Sequence, residues 1–408
     1  MKQLNRRTFV GGWLAAGMTA RSYGRVLGAN DRILVGAIGC GARNLLGQAL
    51  KFRAECNAEV RAVCDTWRQM REKAVEAVKA AGGDSPEQYV HYQDLLARKD
   101  IDAVTIGTPD HGHCLQLRDA ARAGKDAYVE KPLAMDFKEL NEAVEAVRKN
   151  NRIAQMGTQV RSGKGAVAAR AFLQAGGLGK ILKIEQSRNG YEPYWYRYGR
   201  RPVTESDVDW KQFLMHRKYR PFDADQYAGW YGYRDFSHGP HTNLMVHFID
   251  TVHFITGARY PRRVIAMGGI YRWKDAHTCP DSVEVVLDYP EEGFLARYCT
   301  VYGNSGNRFF RVMGTRGMLD LTNWSQPPLV SGEGSGEPDK LGPDAAVPPV
   351  ETVDHMKNFL DCVRSRQAPQ APIDAGYGHS VAVLMAEESF ARGTRMVHDP
   401  VKRSIQAG

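Results

Sequence analysis

Three things are scarce in this 408-residue chain. Cysteine is limited to seven residues, an odd number with no Cys-x-x-Cys pair, which argues against a disulfide-stapled scaffold and against a cysteine-only zinc site. The apolar stretch at residues 10–20 is about half of the roughly 20 residues needed to span a bilayer, so a permanent transmembrane helix is not expected there. Acidic residues are missing altogether from the first thirty positions, which carry Lys2, Arg6, Arg7, Arg21 and Arg25. What is present is ordinary for a folded protein: 43% hydrophobic and 25% charged residues provide for a sizeable core and exclude a disordered chain. At about 100–200 residues per domain, the length suggests two domains. The net charge of +9 raises the question of a nucleic-acid or anionic-membrane partner. Five of those charges sit in the acid-free first thirty residues, so +4 remains on the rest and no nucleic-acid partner is expected.

The segment Asn5-Arg6-Arg7-Thr8-Phe9-Val10, followed by a small, weakly apolar stretch, resembles a twin-arginine (Tat) export signal. It implies export in the folded state through the Tat machinery to the periplasm. Met18-Thr19-Ala20 and Leu27-Gly28-Ala29 both lack the small residue expected three positions before a cut, so an uncleaved, membrane-tethering signal is the alternative. The chain therefore divides into a signal segment (1–30), a first domain (31–155) and a second domain (156–408). Unpaired cysteines suit folding in a reducing cytoplasm before export.

From Asp31 the pattern alternates. The apolar run 33–38 leads into Gly39-Cys40-Gly41-Ala42-Arg43-Asn44 and then a helical pattern through Leu45, Leu46, Ala49 and Leu50. Strand, glycine turn and helix form the context of a dinucleotide fingerprint: Gly39 permits the tight turn and Gly41 lets backbone approach a pyrophosphate. Asn44 stands where a third glycine would allow close helix–strand packing. A second strand, 60–64, ends in Asp65, near the spacing of the acid that grips an adenosine ribose and repels a 2′-phosphate. NAD is therefore favoured over NADP, although Arg61 and Arg68 lie close in sequence. Helices are predicted at 69–81, 95–98 and 114–123, and strands near 89–91, 102–107 and 126–129. The strand 102–107 runs into Thr108-Pro109-Asp110-His111, and the strand 126–129 into Glu130-Lys131-Pro132. Such alternation means a parallel sheet with ligands at the strand ends, where Lys131 is placed to reach a cofactor-bound substrate.

Gly39-Cys40-Gly41, Asp65, Gly107-Thr108-Pro109, Glu130-Lys131-Pro132 and Met156-Gly157-Thr158-Gln159-Val160-Arg161 together resemble the glucose-fructose oxidoreductase, inositol dehydrogenase and rhizopine-catabolism (Gfo/Idh/MocA) family. The resemblance runs on through Gly179-Lys180-Ile181, the segment 239–250 and the closing helix at His355–Asp361. It implies an α/β fold: an N-terminal Rossmann domain, then an α/β domain with an open mixed, largely antiparallel sheet that shields the nicotinamide and often mediates oligomerisation. A homo-oligomer, dimer or tetramer, is therefore expected. The cofactor contacts implied are Gly39, Gly41, Ala42, Arg43, Asp65, Thr108, Pro109, His111, Glu130, Lys131 and Gln159. Family members usually show D-x-G-x-H-x-x-D in the second half. Here His247 and Asp250 match, whereas Asn243 replaces the aspartate and Met245 the glycine. A helix from about Thr242 puts Asn243, His247 and Asp250 along one side. The family's acid/base is the histidine, and His247 and Lys131 share that work here: one takes the hydroxyl proton while a cation favours the alkoxide. Asn243 can hold the histidine or bind a sugar hydroxyl but lends no negative charge. Arg161, Asn243, His247, Asp250 and Lys131 are the implied substrate contacts.

The aromatic, basic stretch Tyr194-Trp195-Tyr196-Arg197-Tyr198 reads first as a long ordered loop with partly buried tyrosines. Its second reading is a carbohydrate subsite, with Tyr194 and Trp195 stacking on a sugar. His238, His241, His247 and His253 cluster without regular ligand spacing, so no metal is assigned. Antiparallel strands are predicted at 283–287 and 294–298, an excursion loop at 325–350, and helices at 353–364 and 378–393. A periplasm offers no pool of free NAD, so a tightly held, internally recycled cofactor is expected. Three functions compete: hydride transfer at a hydroxyl of a sugar, cyclitol or glycoside; NAD-dependent glycoside cleavage by transient oxidation and elimination, which relatives carry out with a Tyr-Pro-Thr-His block not evident here; and nucleotide or carbohydrate binding without catalysis.

Overall fold

The computed structural model describes residues 32–199, 201–334, 339–342 and 345–408; the arginine-rich segment expected to be an export signal lies outside them. The first layer system alternates strand and helix. β1 (Ile33–Ile38), α1 (Leu45–Lys51), β2 (Ala58–Cys64), α2 (Arg68–Ala80), β3 (Glu87–Tyr89) and α3 (Tyr92–Leu96) make one half. β4 (Ala103–Ile106), α4 (His113–Arg122), β5 (Asp126–Val129), α5 (Phe137–Lys149) and β6 (Ala154–Met156) make the other. The sheet is parallel throughout, in the order β3-β2-β1-β4-β5-β6. Continuous apolar runs such as 103–106 are buried along their whole length, as a strand covered by helices on both faces requires. Strand order reverses between β1 and β4, and their carboxyl ends open there as a crevice.

Downstream come α6 (Lys164–Gln174), β7 (Ile181–Ser187) and the short helices α7 (Tyr194–Gly199), α8 (Trp210–Leu214) and α9 (Ala224–Ala228). A π-helical turn at Pro240–Leu244 then feeds α10 (Met245–Thr256). Strands β8 (Arg263–Gly269), β9 (Ser282–Tyr289), β10 (Phe294–Val301), β11 (Phe309–Gly314), β12 (Gly317–Asp320) and β13 (Leu329–Gly332) follow. The chain closes with α11 (His355–Ser365), α12 (Ile373–Arg392), β14 (Met396–Asp399) and β15 (Ser404–Ala407). The nine-stranded sheet runs β13-β12-β11-β7-β10-β9-β8-β14-β15 and is antiparallel except where β7 meets β10. Val264, Ala266, Val285, Leu287, Ala296 and Tyr298 are buried on one face and share a core with Phe248 and Val252 of α10 and Leu384 and Met385 of α12. At about 1.5–3 kcal/mol for each large apolar side chain buried, this face anchors both helices.

Four local differences from the sequence pattern have physical causes. The Tyr194 stretch is helical, because its rings pack together with Tyr231 and Tyr302. The excursion at 325–350 contributes β13 to the sheet edge. The α-helical part of the 240–256 segment starts at Met245, after the π turn. Helix α12 begins at Ile373, running through Gly376 and Gly378. These glycines look like a break, yet a Cβ at Gly378 would lie 2.4 Å from the Arg259 carbonyl, so close approach and not a turn explains that residue. Helix α11 returns to the first sheet, where Met356, Phe359 and Leu360 share a core with Val35, Val60 and Phe52.

Candidate active site

The crevice between β1 and β4 is built from the glycine turn. At Gly39 the backbone has φ +81°, and a Cβ there would lie 2.6–2.8 Å from the Gly107–Thr108 backbone, so only glycine lets the turn rest on the end of β4. A Cβ at Gly41 would meet nothing within 4 Å, leaving its backbone open to the crevice. Asn44 adopts a left-handed conformation and lays its side chain over Gly47, whose Cβ, if present, would sit 2.3 Å from the Asn44 Oδ1. The glycine that the fingerprint lacks at 44 is thus matched by one a turn later, which makes the room Asn44 takes. Asp65 closes the turn: its Oδ2 accepts from the Cys40 N–H (2.8 Å) and its Oδ1 from the Trp67 N–H (2.9 Å). Each carboxylate oxygen keeps a lone pair for a ribose hydroxyl. Arg61 is paired with Glu59 and Asp84, and Arg68 with Asp207, so neither is spare for a 2′-phosphate. The crevice, about 970 Å³ up to its open mouth, is lined by Gly39, Gly41, Ala42, Arg43, Asp65, Thr108, Pro109 and His111. Its opposite wall is Phe213, Met215, Tyr227 and Trp230, all from the segment that follows β7.

His111 donates from Nε2 to the Phe213 carbonyl (2.8 Å), while its buried Nδ1 has no partner. Burial pushes this imidazole down to about 3, so it stays neutral and presents a bare acceptor. Thr108 is engaged by Gln116 at 2.6 Å. At the end of β5, Glu130 accepts from Arg43 Nη2 (2.6 Å) and Gln159 Nε2 (2.9 Å), bringing together three expected cofactor contacts from distant parts of the sequence. The open backbone at Gly41, the unengaged lone pairs of Asp65 and the orphaned Nδ1 of His111 fit a dinucleotide.

Beyond the crevice, Lys131 is 4% exposed and donates from Nζ to the Asn243 carbonyl (2.8 Å) and to its Oδ1 (3.0 Å). Burial first, then the neighbouring Arg43, lowers its ammonium to about 7. His247, on the first turn of α10, has a buried Nδ1 without a hydrogen-bond partner. Burial, then Lys131, Arg188 and Arg43, hold its imidazole well below the usual histidine range. An imidazole poised near 6.5 was the expectation from residue type. Burial, helped by three nearby cations, makes it instead a neutral group, and Lys131 is the one that titrates near neutrality. Sequence reasoning passed over Arg188 and Trp324. The Arg188 guanidinium lies over the Trp324 ring (5.5 Å), and that ring meets His247 edge-on (6.3 Å). Arg188 directly follows β7, so the strand-end rule offered a signal for it; Trp324 sits in an irregular stretch and offered none.

Other expected contacts are placed elsewhere. Arg161 and Asp250 are brought to each other, in a buried two-pronged pair (2.7 and 3.1 Å) that also involves His379. With Asp250 1% and Arg161 8% exposed, the pair ties α10 to the 159–162 turn. Trp195, 1% exposed, packs inside an aromatic cluster, so its ring has no face left for a sugar. Tyr194 is half-buried, with a buried hydroxyl that has no partner, and burial raises its phenol, with Tyr302, Cys279 and Asp110 nearby. The histidine cluster disperses: His241 pairs with Glu387 (2.9 Å) and His253 with the Tyr289 hydroxyl (2.9 Å).

Residues 33–158 match the oxidoreductase family with NAD-binding Rossmann fold, and residues 213–320 match the GFO/IDH/MocA C-terminal domain, together more than half the chain. A glycosyl hydrolase family 109 protein of Shewanella pealeana is 28% identical over 192 residues, 42% of each chain; the similarity thus spans about two-fifths of that relative's length. Two solved structures share the fold. An NAD-binding protein from Listeria innocua has a TM-score of 0.67 at 18% identity, covering 89% of this chain and 96% of that one. The WlbA dehydrogenase from Bordetella pertussis, in complex with NADH and UDP-GlcNAcA, has a TM-score of 0.64 at 20% identity, covering 89% and 98%. The glycine turn, Asp65 beneath it, the buried Glu130-Lys131 strand end and the two matched domains lead to one assignment: the chain belongs to the Gfo/Idh/MocA family of oxidoreductases, with an NAD-binding Rossmann domain and an α/β fold.

Proposed function

We propose that the protein transfers hydride between a tightly held NAD and a secondary hydroxyl of a sugar, cyclitol or glycoside, and works in the periplasm after twin-arginine export, membrane-tethered if the signal stays uncleaved. The observation that carries the chemistry is Lys131: buried at the end of β5, held by Asn243 and lowered to about 7. An ordinary lysine near 10.4 is neutral in only about one copy in a few thousand at neutral pH, whereas burial shifts this one strongly toward its neutral form. It can therefore receive the hydroxyl proton as an alcohol is oxidised and return it in the reverse reaction. A bound nicotinamide cofactor supplies the hydride acceptor and donor. His247, kept neutral, orients the hydroxyl as a hydrogen-bond partner, and Arg188 with Trp324 offers a cation and an aromatic face at the same place. Tight retention of cofactor is supported by the wall of Phe213, Tyr227 and Trp230 across the crevice.

The family 109 relative favours a second reading, in which one sugar carbon is oxidised transiently, its neighbour loses a proton, the aglycone is eliminated, and water adds before the hydride returns. Both readings start with the same hydride step. Denaturing the purified protein should release about one nucleotide per chain, and a saccharide panel should then give a keto-sugar for the first reading or glycosidic cleavage without net redox change for the second. Nucleotide release with no turnover on any saccharide would instead establish a binding protein.

A further inference from the structure

Asn243 stands where the family pattern has an aspartate, which removes a negative charge from beside Lys131. The structure shows a carboxylate one step further back. Asp110, 2% exposed in the turn after β4, lies 3.2 and 3.3 Å from the Asn243 Nδ2. Its Oδ2 also accepts from Ser237 Oγ at 2.8 Å. The Ser237 hydroxyl in turn accepts from the Gly239 N–H (3.2 Å), so its own proton points at Asp110. Both neighbours thus donate to the carboxyl group, an arrangement that favours its ionised form against the burial that pushes its pKa up. The same donors fix the amide: with its NH2 held by Asp110, the oxygen of Asn243 must face the Lys131 ammonium, which it does at 3.0 Å.

The geometry points to Asp110 as a positioning residue that acts on Lys131 through the Asn243 amide, restoring by relay the charge that the substitution at 243 removed. This rests on the assignment of proton transfer to Lys131 above. A buried charge behind one polarisable amide raises the lysine's affinity for its proton, against burial and against the cations Arg43 and Arg188, with His247 beside it held neutral. Glu130 works in the same direction. Around Asp110 itself stand His113, Tyr194 and Cys279. No bond is made or broken at Asp110; the proton exchanged with the substrate stays on Lys131.

The test is the pH dependence of kcat/KM for saccharide oxidation by the NAD-loaded enzyme, together with a nitrogen-15 NMR titration of the Lys131 ammonium. Asp110→Asn should move both midpoints down by roughly one to two pH units, the Coulomb effect of a charge held several Å away at an effective dielectric near 20. On the plateau above both midpoints it should lower kcat, because a weaker base takes the hydroxyl proton less readily, and leave KM within about twofold. Ser237→Ala, which removes only a donor to the carboxylate, should move them the same way by less, and it keeps the test open if Asp110→Asn does not fold. Asp110→Asn combined with Asn243→Asp, which moves the carboxylate next to Lys131, should return the midpoints toward wild type. Midpoints in Asp110→Asn, or in Ser237→Ala if it alone folds, that stay within about a third of a unit of wild type would overturn the relay. The NMR titration reads it even in a protein that turns over no saccharide, so a failure of the functional reading and a failure of the relay are distinguished.

Discussion

At the scale of single residues, two buried ionic groups do opposite things. Lys131 is a cation lowered toward neutrality at the place where a proton must move; Asp250 is an anion held far below the usual carboxylate range by Arg161 and His379, despite its burial. The first predicts function. Oxidation should rise with pH through a midpoint near 7, because the base form of Lys131 appears there, and Lys131→Met should lower kcat about 10²–10⁴-fold while bound nucleotide stays at the wild-type ratio. The pH–rate profile and the absorbance of released nucleotide check this. The second predicts stability. The folded pKa of Asp250 is depressed, so its contribution is fully present above the unfolded value of about 3.9 and is lost only as the pH falls below it. Asp250→Asn leaves a buried guanidinium without its partner and should cost about 3–5 kcal/mol in urea unfolding at pH 7. About 1 kcal/mol of that difference should disappear on acidification to about pH 3, since only the interval between about 3.9 and 3 is then crossed and the folded carboxylate stays ionised.

At the scale of elements, the segment between β7 and α10 matters most to the cofactor. Trp67 at the end of β2 shares a cluster with Trp210, Phe213 and Tyr227, and the Tyr227 hydroxyl meets Thr66 Oγ1 at 3.0 Å. Tyr227 and Phe213, with Trp230, form the wall across the crevice from the glycine turn. Trp230→Ala together with Tyr227→Ala should therefore speed release of bound NAD at least about tenfold, since each truncation removes a few kcal/mol of packing. Stopped-flow loss of nicotinamide fluorescence from the reduced holoenzyme measures it; an unchanged release rate would place the retaining contacts elsewhere. This wall also marks the limit of what could be read from sequence. The strands and the glycine turn were legible because periodicity and turn chemistry are local: 33–38, 126–129 and Glu130-Lys131 follow from neighbours in the chain. The pairing of Arg161 with Asp250 was not legible, because nothing local says that residues 89 positions apart will satisfy each other. Asp110 was quoted at its strand end but given no role, since its partners Ser237 and Asn243 come from the other half of the fold.

At the scale of the whole molecule, one face of the nine-stranded sheet carries exposed apolar side chains among the described residues. Ile265 and Met267 of β8, Val286 of β9 and Leu295 of β10 are 46%, 71%, 38% and 47% exposed. Register places them among cross-strand ion pairs: Arg263 with Asp288 and Arg297 with Glu284. An antiparallel sheet can face water on one side, so exposure alone does not demand a partner. The apolar side chains are interleaved with charges of both signs, however, and such a surface can meet its own copy about a two-fold axis, each cation approaching an anion of the other. We therefore propose a homo-oligomer built across this face. Met267→Glu combined with Leu295→Glu puts like charges opposite one another in such an interface while leaving the buried face of the sheet untouched. Sedimentation equilibrium should then show the wild-type mass reduced to that of a single chain, with the Lys131-dependent activity measured on the same sample. A wild-type protein that is already monomeric, or a variant that keeps the wild-type mass, would exclude this face as the contact.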